Sequence, residues 1–558
     1  MTVSRLFSDN LILQRDKKNL VYGTANPLEN ITVSLCENDK ELWSASCAAD
    51  AEGNWELEID SFSLKGVYSI VITGKDEKIT ANNVRFGDVY LLGGQSNMEL
   101  TINMMPDTNA KALRYEKNDD IRMFNVPHVY DFSGKSVPIS DGAWTSACPE
   151  SIGEFSAIGY YFAKEKYEND GVPVGLVHTA VGGAPVESFM SEENLLKQAK
   201  VIRDTVDVKG ECDKNKNMGC IFCYEELLNK NKQPGYIETT EKEDLKRGEE
   251  WHKSLDASDP GLKDEWMKSQ WTTDFDTISF PRYLKDTKWE KHFGTLWLQK
   301  TVNVPKEYAG RDAMLYLGTM VDFDFTYVNG EYVGTTEYRY LQSRYYVKAG
   351  LLKEGENTIT IRLGMDANVG GLLPEMPYKL SIYKDTSEDA LRGALDSEYY
   401  EWEQEISGEW KVREGAKCEA LEGPTFFIWN PTALYNTMIS PLRGLSFDAV
   451  LFYQGESNSG RPEYYDILFK AMTDEWRSLF NNDLPFYTAE VARYLGDGPV
   501  LSHDVYAEVR EAQKKCAEEI EGVYLIPTTS LPAIPTELHP QNKKDVAHLF
   551  YEAFKENK

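Results

Sequence analysis

"LLGGQSNMEL", residues 91–100, follows directly on Val89-Tyr90 and ends an apolar run with two glycines and a serine. The bland reading is a strand-to-helix turn in which Ser96 caps the helix, a role serine often fills. The sharper reading is a nucleophile presented on a tight turn. A G-x-S-x-G elbow would decide the matter, but Met98 stands where its second glycine belongs, which argues against the fold that uses that elbow. The rest of the chain has to supply the partners.

Three other segments share this layout of an apolar strand followed by chemistry. "VGLVHTAV" runs into Gly182-Gly183-Ala184-Pro185, "FDAVLFY" into Gln454-Gly455-Glu456-Ser457-Asn458, and "VYLIPTT" is followed by Glu537-Leu538-His539-Pro540. In an open parallel sheet, sites form in the crevice beyond the carboxyl ends of the strands. Taken together the four ends offer a nucleophile, closely approaching backbone amides, a polar side-chain donor and a base, the parts of a serine hydrolase. His178, inside an apolar strand, reads as a core histidine instead.

Around these segments the pattern divides the 558 residues into four regions. Residues 1–86 alternate with period two ("ITVSLCE", "NWELEID", "YSIVITG") between turn residues and predict a small antiparallel β-sandwich. Residues 87–200 and 425–558 alternate apolar strands with amphipathic helices and predict one α/β domain with a parallel sheet, split in sequence. Residues 201–269 are charged and read as a helical connector. Residues 270–424 return to period two, with Asn329-Gly330 as a strong hairpin signal, and predict an inserted β-domain that braces the α/β domain.

Composition narrows the function. A formal net charge of −30 opposes binding to nucleic acid or an anionic membrane. No stretch reaches the ~18 apolar residues of a membrane span, and the N-terminus lacks a signal-peptide core, so a cytoplasmic protein is expected, with a mature secreted form as the alternative. Cys220-Ile-Phe-Cys223, with Cys212 upstream, is a lone C-x-x-C without the second pair or histidines of a structural zinc site. Reduced thiols and no metal are expected.

The order of serine early and histidine near the C-terminus resembles the SGNH hydrolases. More closely, "LLGGQSNMEL", "GLVHTAVGGAPVESFMS", "TALYNTMISPL", "FYQGESN" and "LHPQNKKDVA" look like the sialate O-acetylesterase branch of that superfamily, as does the N-terminal "LFSDNLILQRD". In the insert, "LWLQKTVNVP", "YVNGEYVG" and "LLKEGENTITIRL" resemble a jelly-roll, galactose-binding-like sandwich. The resemblance implies an SGNH (flavodoxin-like) three-layer domain and removal of O-acetyl groups from carbohydrate without a cofactor. It implies Ser96 as nucleophile and His539 as base, with an oxyanion held by the N–H of Ser96, the N–H of Gly183 or Gly182, and the side chain of Gln454. The SGNH pattern often has aspartate three residues before the histidine, where this chain has Thr536. Glu537 and Glu456 are the candidate acids, and a Ser–His dyad is the alternative. Asn97, Arg493 and Arg510 are candidate substrate contacts, and Arg510-x-x-Gln513 matches a recurrent helix motif of these esterases.

If His539 is the base, kcat/KM should rise with pH through about 6.5, the value of free histidine. O-acetylated sialic acid is the expected substrate, with acetylated xylan, mannan or pectin as alternatives. A carbohydrate-binding protein without catalysis is the reading of a different class.

Overall fold

The computed structural model describes residues 1–206, 221–374, 376–384, 400–480, 483–495, 504–533 and 537–557. Cys212, Cys220 and Thr536 lie outside the described residues, as do parts of the connector and the insert.

Among the described residues, seven strands form the main path of the eleven-stranded sheet that carries the candidate site: β1 (Lys78–Gly94), β2 (Asn118–Asn125), β3 (Trp144–Ala147), β4 (Val174–His178), β5 (Ala449–Tyr453), β6 (Phe486–Ala489) and β7 (Val523–Ile526). Their order is β3-β2-β4-β1-β5-β6-β7, and every neighbouring pair is parallel except β3 with β2. Residues 89–94 of β1 and all of β4 and β5 are buried, as central strands covered on both faces must be. The side-chain period of two then splits each strand between two cores. Leu91, Val177, Val450 and Phe452 enter one cluster, while Tyr90, Leu92, Leu176, Leu451 and Tyr453 enter the other.

β1 is 17 residues long and belongs to two structures at once. Its first half pairs antiparallel with Tyr68–Thr73 of the N-terminal β-region, and its second half lies between β4 and β5. The boundary drawn at residue 86 from sequence therefore falls inside one continuous strand. A change of hydropathy pattern marks where the strand becomes covered on both faces, and the backbone needs no break there.

Among the described residues, those between 276 and 417 form two six-stranded sheets. Gly294–Val304, Gly355–Met365 and Phe323–Val328 lie at the centre of one, and Ala313–Val321 and Tyr378–Tyr383 are neighbours in the other. Leu296, Leu298, Leu315, Leu317, Ile359, Ile361, Leu380 and Ile382 fill one core shared by both sheets. The hairpin at Asn329-Gly330 forms with φ of 50° and 86° at its two central residues, the positive pair that a two-residue I′ turn requires.

The connector is helical where described: Glu192–Thr205, Tyr224–Asn231 and the charged Tyr236–Ser258, in which Leu255 is the buried residue. No helix among the described residues is long and apolar enough to cross a membrane. The described cysteines are free thiols.

Candidate active site

β1 ends at Gly94, whose φ is +121°. A Cβ there would stand 2.1 Å from the carbonyl oxygen of Tyr453 on β5, so only glycine allows the two strand ends to approach this closely. Gln95 follows as the N-cap, and Ser96 is the first residue of a single helical turn, α1 (Ser96–Glu99). Ser96 is thus not the cap, and its hydroxyl is left for other work. A dipole contribution from the helix, attractive from sequence, is small here because so few peptide units add up in four residues. The turn is pinned from behind by Ser156, whose hydroxyl donates to the Met98 carbonyl at 2.7 Å and accepts from the Gly159 N–H at 3.2 Å. The same serine caps the helix Ala157–Asp170.

The imidazole of His539 comes from the loop between β7 and the terminal helix Lys543–Glu556. Its Nε2 lies 2.8 Å from Ser96 Oγ, across 443 residues of chain. That is the distance a general base needs to take a hydroxyl proton. With Nε2 accepting from the hydroxyl, the ring proton sits on Nδ1. Burial and the nearby Lys543 ammonium push the imidazole down to about 3, so the ring is neutral across pH 5–8. The expectation of a titration near 6.5 is revised accordingly: a ring taken out of water beside a cation resists protonation.

The candidate acids are placed differently from one another. Glu456 is buried, and its Oε1 accepts from Asn97 Nδ2 at 2.7 Å. Asn97 Oδ1 in turn accepts from Lys543 Nζ at 2.6 Å. Asn97 also donates to the Leu538 carbonyl at 3.3 Å, beside the histidine. Asn97 is therefore buried between the serine turn and the histidine loop and joins them, which leaves it no face for substrate contact. Glu537 accepts from Gln541 at 3.2 Å. Its carboxyl is pushed up to about 7 by burial, against the pull of Gln541 and Lys543. Lys543 is itself buried and held down to about 8 by desolvation, with Glu537 and Glu456 opposing. No carboxylate among the described residues is within hydrogen-bonding distance of His539 Nδ1, so the geometry is that of a dyad with Glu537 nearby.

The glycine loop after β4 divides its two amides. Gly182 N–H donates to Glu99 Oε2 at 2.6 Å, which removes it from the oxyanion role offered for it. Gly183 N–H has no partner among the described residues. Gly183 has φ +78°, and a Cβ on it would strike the Trp429 ring at 2.4 Å. Trp429 is fixed by its Nε1 donating to the Gly182 carbonyl at 2.6 Å and by stacking on Phe426 at 4.0 Å. Gln454 is fully buried. Its Nε2 faces Asn458 Oδ1 at 2.7 Å, with the Ala184 carbonyl and Gln95 Oε1 both at 3.3 Å. Both its N–H bonds are spent holding loops together, and a role on an oxyanion would require the amide to turn.

Of the arginines, Arg510 pairs with Asp504 and bonds the Val491 carbonyl at 3.3 Å, whereas Arg493 is exposed. Gln513 on the same helix is structural: it donates to the carbonyls of Gln454 (2.9 Å) and Ala489 (3.0 Å) and accepts from Val491 N–H (2.9 Å). His178 is buried with Nδ1 2.9 Å from Asn125 Oδ1, and burial pushes it down to about 3.

Sequence reasoning passed over Lys543, Glu99, Asn458 and the buried pair Glu187–Arg461 (2.8 Å). Asn458 and Lys543 lie in blocks quoted for other residues. A buried lysine at the start of a charged amphipathic helix carries no local signal, because its burial depends on what packs above it.

A family model described as "Carbohydrate esterase, sialic acid-specific acetylesterase" matches residues 86–221 and 418–550. Over 216 residues the chain is 24% identical to the sialate O-acetylesterase of Pongo abelii and 23% identical to that of Homo sapiens, each match covering 36% of this chain. The chain covers 41% of the length of each of these relatives. Among solved structures it is similar in fold to a carbohydrate acetylesterase from Xanthomonas citri, with 19% identity and a TM-score of 0.53 over 99% of this chain and 74% of that one.

Proposed function

We propose that this chain, which a sialic acid-specific acetylesterase family model matches over residues 86–221 and 418–550, is a serine esterase removing O-acetyl groups from carbohydrate, with O-acetylated sialic acid as its substrate class. The observation that carries the reading is the 2.8 Å contact between Ser96 Oγ and His539 Nε2. The strand order supports reading the parallel sheet as the SGNH (flavodoxin-like) layout and the two-sheet insert as its jelly-roll.

In the reaction, Ser96 Oγ loses its proton to His539 Nε2 and bonds to the acetyl carbon. The carbonyl oxygen becomes an oxyanion, facing the N–H groups of Ser96 and Gly183. When the ester C–O bond breaks, the sugar oxygen takes the proton back from Nε2 and leaves. Water then attacks the acetyl-serine and gives one proton to His539, which returns it to Ser96 Oγ as acetic acid departs and ionises to acetate. Buried neutral imidazole suits this cycle, since it begins each half-reaction able to accept a proton.

A second reading keeps the chemistry and changes the sugar. Arg510 is paired with Asp504, and Arg339, beside His539, lies 3.8 Å from Asp322. Cations already matched by carboxylates favour a neutral acetylated polysaccharide such as xylan or mannan over a sugar acid.

Acetate release from O-acetylated N-acetylneuraminic acid and from acetylated xylo-oligosaccharides tests both readings. Ser96→Ala is expected to lower kcat by at least a hundredfold on whichever substrate the wild type prefers. Unchanged turnover in that variant would end the proposal, and sugar binding without acetate release by the wild type would favour the binding-protein reading.

A further inference from the structure

The leaving sugar must start at His539 Nε2, because that nitrogen returns the proton to the departing oxygen. A pocket lined by His539 is the place this inference gives to the rest of that sugar. One side of it comes from the α/β part: Glu537, Leu538 and Tyr494. The inserted β-region also lines it, through Tyr283, Arg339, Tyr340 and Asn368. We propose that Arg339 and Tyr340 of the insert form the subsite for the leaving sugar, so that the inserted β-region takes part in substrate selection. The inference rests on the esterase reading above.

Tyr340 meets the His539 ring edge-on, with centroids 5.2 Å apart and planes at 72°. The Arg339 guanidinium sits 4.8 Å from the centre of the Tyr340 ring. Both lie between the strands Glu331–Thr336 and Gln342–Val347, and residues of the same segment line a cleft together with Asn103 and Met104, just after the nucleophile turn. The loop thus spans from the serine side of the site to the histidine side. Arg339 is oriented by Asp322, which the backbone N–H groups of Asp366, Ala367 and Asn368 and the Asn368 side chain (2.6 Å) hold in place. The result is an aromatic ring with a planar cation against it, in a pocket that an amide also lines. A pyranose offers the matching surface, C–H groups on one face and paired hydroxyls at its edge. An aromatic face gains from burying those C–H groups, and guanidinium and amide donors in fixed planes reach adjacent hydroxyls. A packing role alone would need the apolar contact and not this polar edge.

Tyr340→Ala and Arg339→Met are each assayed on an acetylated xylo-oligosaccharide or O-acetyl-N-acetylneuraminic acid and on ethyl acetate, whose leaving group is too small to fill the pocket. The ratio of kcat/KM for the sugar ester to that for ethyl acetate should fall at least tenfold in both variants, chiefly through KM. Tyr340→Phe, which keeps the ring, should restore the ratio. Tyr346→Ala, at an exposed tyrosine of the insert that does not line this pocket, should leave it as in wild type. Ratios within twofold of wild type in both Tyr340→Ala and Arg339→Met would overturn the subsite while Ser96-dependent hydrolysis still upheld the esterase reading. Loss of the Ser96 dependence would overturn the reading itself. If Tyr340→Ala fails to fold, Arg339→Met decides alone.

Discussion

Replacing Gly183 by alanine adds a single methyl group beside the proposed oxyanion site. At φ +78° an L-residue is strained, by about 1–2 kcal/mol, and the new Cβ would stand 2.4 Å from the Trp429 ring. Ordinary contact begins near 3.4 Å, so something must move by roughly 1 Å. The indole is the less able to yield, because its Nε1 bond to the Gly182 carbonyl and its stack on Phe426 hold it. The loop therefore shifts and carries the Gly183 N–H with it. An oxyanion donor displaced by that much is effectively lost, and losing one costs about 2.7–4 kcal/mol, or 10²–10³ in kcat. Acetate release followed at saturating substrate should show that fall with KM changed little, since the donor acts on charge that develops only in the transition state. Thermal melting of the same variant separates misfolding from the catalytic loss. A folded Gly183→Ala enzyme with kcat within threefold of wild type would refute the assignment of this amide.

Two other expectations follow from the buried charges. Because His539 is held near 3 and the Glu537 carboxyl near 7, a rise of kcat/KM through about pH 7 would report the carboxyl: above that value it is ionised and stabilises the imidazolium formed during proton transfer. Glu537→Gln should flatten this limb, and a limb near 7 that survives in the variant would show that another group causes it. Glu187 is completely buried and accepts from Arg461, Tyr224 and Asn458. Arg461→Met leaves that carboxylate without its cation, at a cost of about 3–5 kcal/mol, so the melting temperature should drop by roughly 10 °C. A drop under 2 °C would mean the pair is solvated in solution.

The parts of this molecule legible in its sequence are those governed by short-range rules. Apolar runs ending in glycine mark strand ends, period two marks the β-regions, and Asn329-Gly330 marks a turn whose φ values only such residues adopt easily. The motif blocks carried enough of this local grammar to show a resemblance to the sialate O-acetylesterases, which a family model matches over residues 86–221 and 418–550. The fates of individual hydrogen bonds were not legible, because they depend on neighbours far away in the chain. Gln454 read as a donor for the oxyanion until Asn458, Ala184 and Gln95 were seen around its amide, and Gly182 stood as the lesser alternative to Gly183 until Glu99 took its N–H. Only the tertiary structure could bury Lys543 among Asn97, Glu456 and Glu537, run one strand through two β-regions, and bring Tyr340 of the insert against His539. Hydrophobic pattern and turn chemistry act within a few residues, whereas burial, and with it the charge state and spare valence of every polar group, is set by the packing of the whole chain.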